Sequence, residues 1–283
     1  MAKTVLEGLG ESLEVVILTL NESGRLGECV AAVPPGVSVH VLDSGSTDGT
    51  VELARSLGCE VSTNPWPGFA DQRNYALDHC GSRQWVLFID ADETYPLSVF
   101  SELAQKIDST ELACVFIPSV LVFRGRVLKH APGYPVLHPR AVRRSRVRFV
   151  PDSHGHGETV IVDGRTQKIQ TPYIHDWYQG DIQTWVTKHI RLARLEANTK
   201  AAGCGFETRR SRLGRAAGRG LHRPLLRFAY HYVLRLGFLD GARGLEYSTM
   251  YAWYELSKYL LSKGSHPDAT RSSRELPRSR PGL

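Results

Sequence analysis

Long apolar runs are missing from this chain. Nowhere do about 20 uninterrupted apolar residues occur, the length that a bilayer-spanning helix needs, and the first residues lack the charged, apolar and small-residue succession of a secretory leader. A cytosolic location is therefore expected. Cysteine is sparse: Cys29, Cys59, Cys80, Cys114 and Cys204 stand singly, without CxxC spacing. That pattern argues against a structural zinc site or a disulfide framework and for buried thiols in a reduced compartment. No internal repeat, RNP motif, zinc finger or helix-turn-helix signature is present, so no nucleic acid partner is expected. Compositional bias is absent too. With 42% hydrophobic and 23% charged residues over 283 positions, the chain can bury a large core.

Charge is present in an uneven pattern. The formal net charge is +6, yet between Lys188 and Arg235 twelve Lys and Arg face two acids, a local balance of +10. Such asymmetry points to an anionic partner for the C-terminal third, with a phospholipid surface or a phosphorylated glycolipid the leading choices. The expected organisation is a flexible stretch 1–13, a catalytic unit 14–178 divided near residue 110, a basic helical extension 179–263, and a Ser-, Pro- and Arg-rich disordered tail 264–283. A mobile loop is expected over the Gly- and Arg-rich 202–220.

Between residues 14 and 90, apolar strands alternate with helices. EVVILTL (14–20), VSVHVLD (37–43), CEVST (59–63) and QWVLFID (84–90) read as strands, with helices at TVELARSLG and ADQRNYALDHC. Asp48 or Thr47 is the expected cap of the first helix and Gly58 its stop. Alternation of this kind predicts an α/β fold with a parallel sheet and right-handed crossovers. From 111 to 175, short strands with Gly and Pro turns predict a mixed extension of the sheet. In open sheets ligands sit beyond the carboxyl ends of the strands. Asn21 and Glu22, Asp43, and Asp90 to Glu93 all fall at such ends.

Carboxylates gathered there repel one another unless a cation or ligand hydroxyls hold them. Oxygen ligands suit Mg²⁺ or Mn²⁺, which bridge the two phosphates of a nucleotide sugar and neutralise a departing diphosphate. Asp43 can accept hydrogen bonds from a base or a ribose hydroxyl. Arg73 can meet a phosphate or base, and Asn74 a hydroxyl.

TLNE, DSGSTDGT, FADQRNYALD and WVLFIDADE, in that order, resemble the nucleotide-sugar half of glycosyltransferase family 2, in its branch of lipopolysaccharide-core β-glucosyltransferases. The resemblance resumes at GYPVLHPRAVRR, at HGETV and at GFLDGARGLEYSTMYAWYELSKYL, and so covers residues 14 to 262. It implies a GT-A fold, a Rossmann-like, mostly parallel mixed sheet flanked by helices, with a C-terminal helical extension. It also implies an inverting transfer from a UDP-sugar, with glucose the first guess, to a lipopolysaccharide-core or other envelope glycan. On this likeness Glu22 and Asp43 hold the nucleoside, Arg73 contacts base or diphosphate, Asp90 the ribose or sugar, and Asp92 the metal. His175 completes the metal site, and Glu158 is the catalytic base, with Asp152 as fallback. Relatives carry an acid after the Tyr-Pro pair; here Val136 leaves that position apolar and puts the acceptor in doubt.

Other readings stay open. The same fold can act on a polyprenyl phosphate, a peptide or a small metabolite, or can persist as a non-catalytic sugar-nucleotide or membrane-surface binder. His154, His156 and Glu158 share a strand face at spacing two, a plausible ligand trio for zinc. Over 223–238, one helix is expected, with an apolar stripe (Leu225, Leu226, Phe228, Ala229, Tyr232, Val233, Leu236) beside a cationic one (Arg223, Arg227, His231, Arg235). Such a helix can lie in an anionic headgroup layer or pack its apolar side on the core, and the two readings are compatible. Oligomeric state is not legible.

Overall fold

The computed structural model describes residue 6 and residues 8–151, 158–178, 181–201 and 220–263, with the side chains of 158, 195 and 197–201 outside the description. The segments 202–219 and 264–283, for which a mobile loop and a disordered tail are expected, lie outside the described residues, as does Cys204.

After a single helical turn, α1 (Leu9–Ser12), the first strand, β1 (Leu13–Thr19), runs through the centre of the molecule, buried at every position. Its neighbours are β2 (Ser38–Asp43) on one side and β4 (Trp85–Asp90) on the other, both parallel to it, and β3 (Glu60–Thr63) is parallel beyond β2. A strand covered on both faces has no polar side, which explains the unbroken apolar run EVVILTL. Alternation still sorts the side chains. Val15 and Ile17 of β1 and Trp85, Leu87 and Ile89 of β4 pack beneath α2 (Leu26–Ala31), α3 (Thr50–Ser56) and α5 (Leu97–Ala104). Val16, Leu18, Val86 and Phe88 face the other way, against α4 (Phe69–His79) and the strand β9 (Val147–Pro151).

Beyond β4 the sheet turns mixed. Its order is β3-β2-β1-β4-β8-β6-β12-β5, with β7 (Arg126–Leu128) and β11 (Arg165–Lys168) also on β6. Here β5 is Glu93–Thr94, β6 is Leu112–Phe123, β8 is Val136–Arg143 and β12 is Tyr173–Tyr178. β8 runs antiparallel to both β4 and β6, whereas β12 is parallel to β6 and antiparallel to β5. A separate hairpin pairs β9 with β10 (Glu158–Val162). This is the α/β architecture expected, with a parallel N-terminal half and a mixed remainder. Cys29, Cys59, Cys80 and Cys114 carry free thiols.

Of the C-terminal helices, α6 (Ile182–Ala201) and α8 (Gly241–Lys263) dock on a third apolar cluster, and α7 (Arg223–Ala229) packs on α8. The cluster joins Phe123 and Tyr178 of the sheet to Trp185 and Tyr247. The single helix expected over 223–238 is broken. After α7 comes a π turn (Tyr230–Leu234), then Leu236 in the left-handed region at φ 58°, then a 3₁₀ turn (Gly237–Asp240). Two anchors impose the break. His231 turns inward to the Ala131 carbonyl (2.7 Å), and the Asp240 carboxylate accepts the backbone N–H groups of Lys129, His130 and Ala131 at 2.8–3.0 Å. Gly237 permits the close return, because a Cβ there would lie 2.5 Å from the His231 carbonyl oxygen.

The cationic stripe faces the protein and the apolar one faces out. Arg223 and Arg227 point inward to the buried Glu255 (3.6 and 3.5 Å) and His231 is buried, while Leu225, Leu226, Val233 and Leu234 are exposed. No helix among the described residues is long and apolar enough to cross a membrane.

Candidate active site

Register brings the acids together. Asp43 pairs across the sheet with Thr19, and Asp90 with Leu18, so the ends of β2 and β4 flank the end of β1. Two loops leave that edge and clasp each other. Asn21 is left-handed (φ 58°), a conformation asparagine tolerates, and its side-chain oxygen accepts the Thr47 N–H at 2.8 Å. The Asp48 carboxylate accepts the Ser23 and Thr50 backbone N–H groups, and the Glu22 N–H donates to the Thr50 hydroxyl. Gly49, not Asp48 or Thr47, precedes the helix at its cap position; Asp48 ties the two loops instead. Gly58 closes α3 with φ 79°, as expected.

Asp43 is buried and its acceptor capacity is full. One oxygen takes the Gly45 and Ser46 N–H groups (both 2.8 Å), the other the hydroxyls of Thr19 (3.0 Å) and Ser46. A ligand group can bond it only by displacing the Ser46 or Thr19 hydroxyl.

Arg73 lies beneath the site, 1% exposed, between the rings of Phe88 and Phe149. From there it grips Asp90 (3.0 Å), and a second guanidinium, Arg140, reaches the same carboxylate (2.8 Å) and also Glu93. Burial opposes ionisation of Asp90, but Arg140 and Arg73 outweigh it and hold the carboxyl at about 2. Glu93 is deeper, and burial pushes it up to about 7 in spite of Arg140. Asn74, expected to meet a ligand hydroxyl, is spent on the fold: its amide donates to the Phe149 carbonyl (2.8 Å) and accepts the Phe149 N–H (2.9 Å).

Asp92 projects from the same turn, and β12 brings it a partner. His175 sits opposite Glu93 in the β5–β12 ladder, and its Nε2 stands 3.5 Å from an Asp92 oxygen. Lys188 of α6 approaches the same oxygen at 3.6 Å. Burial would raise Asp92, yet His175 and Lys188 hold it well below the usual carboxylate range; reciprocally Asp92 raises His175 against its own burial. Glu22 lies near enough to feel Asp92, and is raised chiefly by burial.

The structure thus brings Glu22, Asp43, Asp90, Asp92 and His175 to one sheet edge, with Arg73 behind them. Asp152, His154 and His156 lie outside the described residues, and Glu158 is described by its backbone alone, opposite Pro151 in the hairpin. Sequence reasoning gave no role to Arg140 or Lys188. Arg140 sits inside a quoted motif, but nothing local marks it as the partner of Asp90, 50 residues earlier.

Among the described residues no three His, Cys, Asp or Glu side chains gather to enclose a cation. Asp92 and His175 alone suit one of a particular kind. Mg²⁺ and Mn²⁺ commonly take one or two protein ligands and complete their shell with phosphate oxygens and water. This donor pair at the carboxyl edge of the strands fits that chemistry.

Comparison with known proteins follows the same lines. Residues 14–163, over half of the chain, match the model of glycosyl transferase family 2. The lipopolysaccharide core biosynthesis glycosyltransferase LpsC of Rhizobium meliloti is 38% identical over 184 residues, 63% of each chain. An uncharacterized glycosyltransferase of Rickettsia felis is 40% identical over 84 residues, 29% of each. The chain therefore spans less than two thirds of these relatives' length. Among solved structures, glucosyl-3-phosphoglycerate synthase from Mycobacterium tuberculosis in complex with phosphoglyceric acid aligns with 72% of this chain and 84% of its own, at 22% identity and a TM-score of 0.49. The chain is a member of glycosyl transferase family 2.

Proposed function

We propose that this protein is an inverting glycosyltransferase that moves a hexose, glucose in the first instance, from a UDP-sugar to a lipopolysaccharide-core or related envelope saccharide. The observation that carries the reading is the meeting of Asp92 and His175 (3.5 Å) at the strand edge where Asp43 and Asp90 also end. The similarity to LpsC supports the acceptor class.

In this reading Asp43 and Glu22 receive the nucleoside, the Ser46 hydroxyl giving up its bond to Asp43 as the ligand enters. Asp90, fixed by Arg73 and Arg140, presents one orientation to a sugar or ribose hydroxyl. Asp92 and His175 would hold Mg²⁺ or Mn²⁺, which supplies Lewis-acid stabilisation of the departing diphosphate. Lys188 and Arg25 add fixed positive charge beside that carboxylate. Glu158 takes the proton of the acceptor hydroxyl as its oxygen attacks the anomeric carbon from the face opposite the diphosphate, which inverts that centre. No protein acid is needed at the leaving group.

The test is UDP release in the presence of Mn²⁺ or Mg²⁺ across a panel of UDP-sugars. Asp92→Asn is expected to lower turnover by at least 10²-fold with little change in thermal stability. Full turnover in that variant refutes the site.

The exposed Leu225, Leu226, Val233 and Leu234, set in the segment of local charge +10, support a peripheral position on an anionic bilayer, with the leucines entering the headgroup layer. Replacing Leu225 and Leu234 by Ser should weaken sedimentation with phosphatidylglycerol vesicles at least fivefold. Unchanged sedimentation removes the membrane reading.

A further inference from the structure

A cavity of about 280 Å³ opens beside the donor edge, and its wall is shared with it, because His175 lines both. The far wall comes from the C-terminal helices. Trp177, Tyr247 and Tyr251 contribute aromatic faces; the Trp177 and Tyr251 rings lie nearly parallel (14°, centroids 5.7 Å apart), and Tyr134 stands 45% exposed. Flat aromatic surfaces of this kind suit the axial C–H face of a sugar ring, whose slightly positive hydrogens meet the negative ring face. A polar, largely hydroxylated ligand therefore fits better than a lipid tail.

Among the described lining residues the charges have one sign. None of the described lining residues is a carboxylate, and Val136, which lines the cavity, is apolar. Arg227 is the permanent cation there. Its guanidinium lies 3.5 Å from Glu255, but that carboxylate is shared with Arg223 (3.6 Å) and Lys258 (2.8 Å). Lys258 is held by Glu196 as well (3.2 Å), so three cations share two carboxylates; one positive charge stays unbalanced beside Arg227, whose Nε has no hydrogen-bond partner among the described residues. A guanidinium carries five donors in a planar fork that matches a carboxylate or a phosphate. His138, on the same wall, is held neutral by burial and by Arg140, which leaves it free to exchange hydrogen bonds with hydroxyls rather than add charge.

We infer that this cavity seats the acceptor sugar, and that the sugar bound there bears a negatively charged group, a carboxylate or a phosphate, read by Arg227 while the ring stacks on Trp177 and Tyr251. The word acceptor rests on the proposed glycosyl transfer; the preference for an anionic saccharide does not. It follows from an aromatic cavity whose described lining holds no carboxylate and contains an arginine in a cluster with one cation in excess.

Saturation-transfer NMR and calorimetric titration of the full chain, without donor, test it with three probes: methyl glucoside, methyl glucuronide and methyl glucoside 6-phosphate. At least one anionic probe is expected to bind tenfold more tightly than the neutral one, and comparison of the two identifies the group. Arg227→Gln should erase that preference and leave the weak binding of methyl glucoside intact, and Arg227→Lys should restore part of it. Trp177→Leu should weaken all three. If Arg227→Gln lowers the melting temperature sharply, the salt dependence of the wild type decides: the anionic preference must shrink between 50 and 500 mM NaCl, as for any charge-based contact open to solvent. Equal affinity for charged and neutral probes, or a preference that survives Arg227→Gln, overturns the inference. Anionic binding with no transfer from any UDP-sugar sinks the proposed enzyme and the word acceptor, and leaves the anionic-saccharide preference standing.

Discussion

Arg140→Met is the sharpest perturbation of the network beneath the site. The wild-type side chain is 5% exposed and its Nη2 serves Asp90 (2.8 Å) and Glu93, with the Tyr173 hydroxyl at 3.4 Å. Methionine keeps most of the volume and removes the charge. Orphaning a buried charge costs about 3–5 kcal/mol. Two features lower that figure here. Asp90 keeps Arg73, and Glu93, already raised to about 7, escapes by taking up a proton near neutrality. A loss of about 2–3 kcal/mol at pH 7 is therefore expected. The pH dependence is more telling. A carboxyl whose folded value lies above its unfolded one favours folding below the unfolded value, and that contribution is lost as pH rises through the folded value. Without Arg140 the folded value of Glu93 rises further, so the variant's deficit should widen from pH 6 to pH 8.5, by no more than about 1.4 kcal/mol per pH unit. Urea unfolding followed by circular dichroism at several pH values measures this. In the Glu93→Gln background the widening should disappear. A deficit below about 1 kcal/mol, constant with pH, would refute the reasoning that these charges are coupled.

Two further perturbations follow from the same accounting of buried groups. His138 is depressed to about 3, so its neutral form is favoured by folding; this contribution is present above its unfolded value of 6.5 and is lost as pH falls toward 3. At pH 5 the loss is at most about 2 kcal/mol and, for a group beside an open cavity, about 1 kcal/mol; His138→Asn should flatten the fall in melting temperature between pH 7 and pH 5. Asp240→Ala strips three backbone N–H groups of their acceptor, an expected loss of about 2–4 kcal/mol, with faster hydrogen exchange at residues 129–131 as the local signature.

Much of the strand-end site was legible because it is local. β1, β2 and β4 announce themselves as apolar runs, and the acids that follow them end up together because parallel strands share one carboxyl edge. What sequence could not supply was depth. Arg73 looks like a ligand-facing arginine until Phe88 and Phe149 close over it, and Asn74 looks available until Phe149 claims its amide. The segment 223–238 carried a clear two-stripe pattern, but periodicity gives two faces without saying which one meets the protein. Glu255 decided it: a carboxylate buried in α8 draws Arg223 and Arg227 inward, and the leucines are left facing out. Arg140 was invisible for the same reason, since its partners lie on other strands.

The position of β12 has a mechanical consequence. Along most of its length this strand is laddered to β6, and at Ile174 and His175 it is laddered also to the two residues that follow the DAD turn, while the Asp176 N–H reaches back to the Asp92 carbonyl. Prising the strand-end acids from the remainder would mean unzipping these rungs. Any breathing that admits substrate must then come from the loops and helices laid over the edge, leaving the bed of acids stationary throughout turnover.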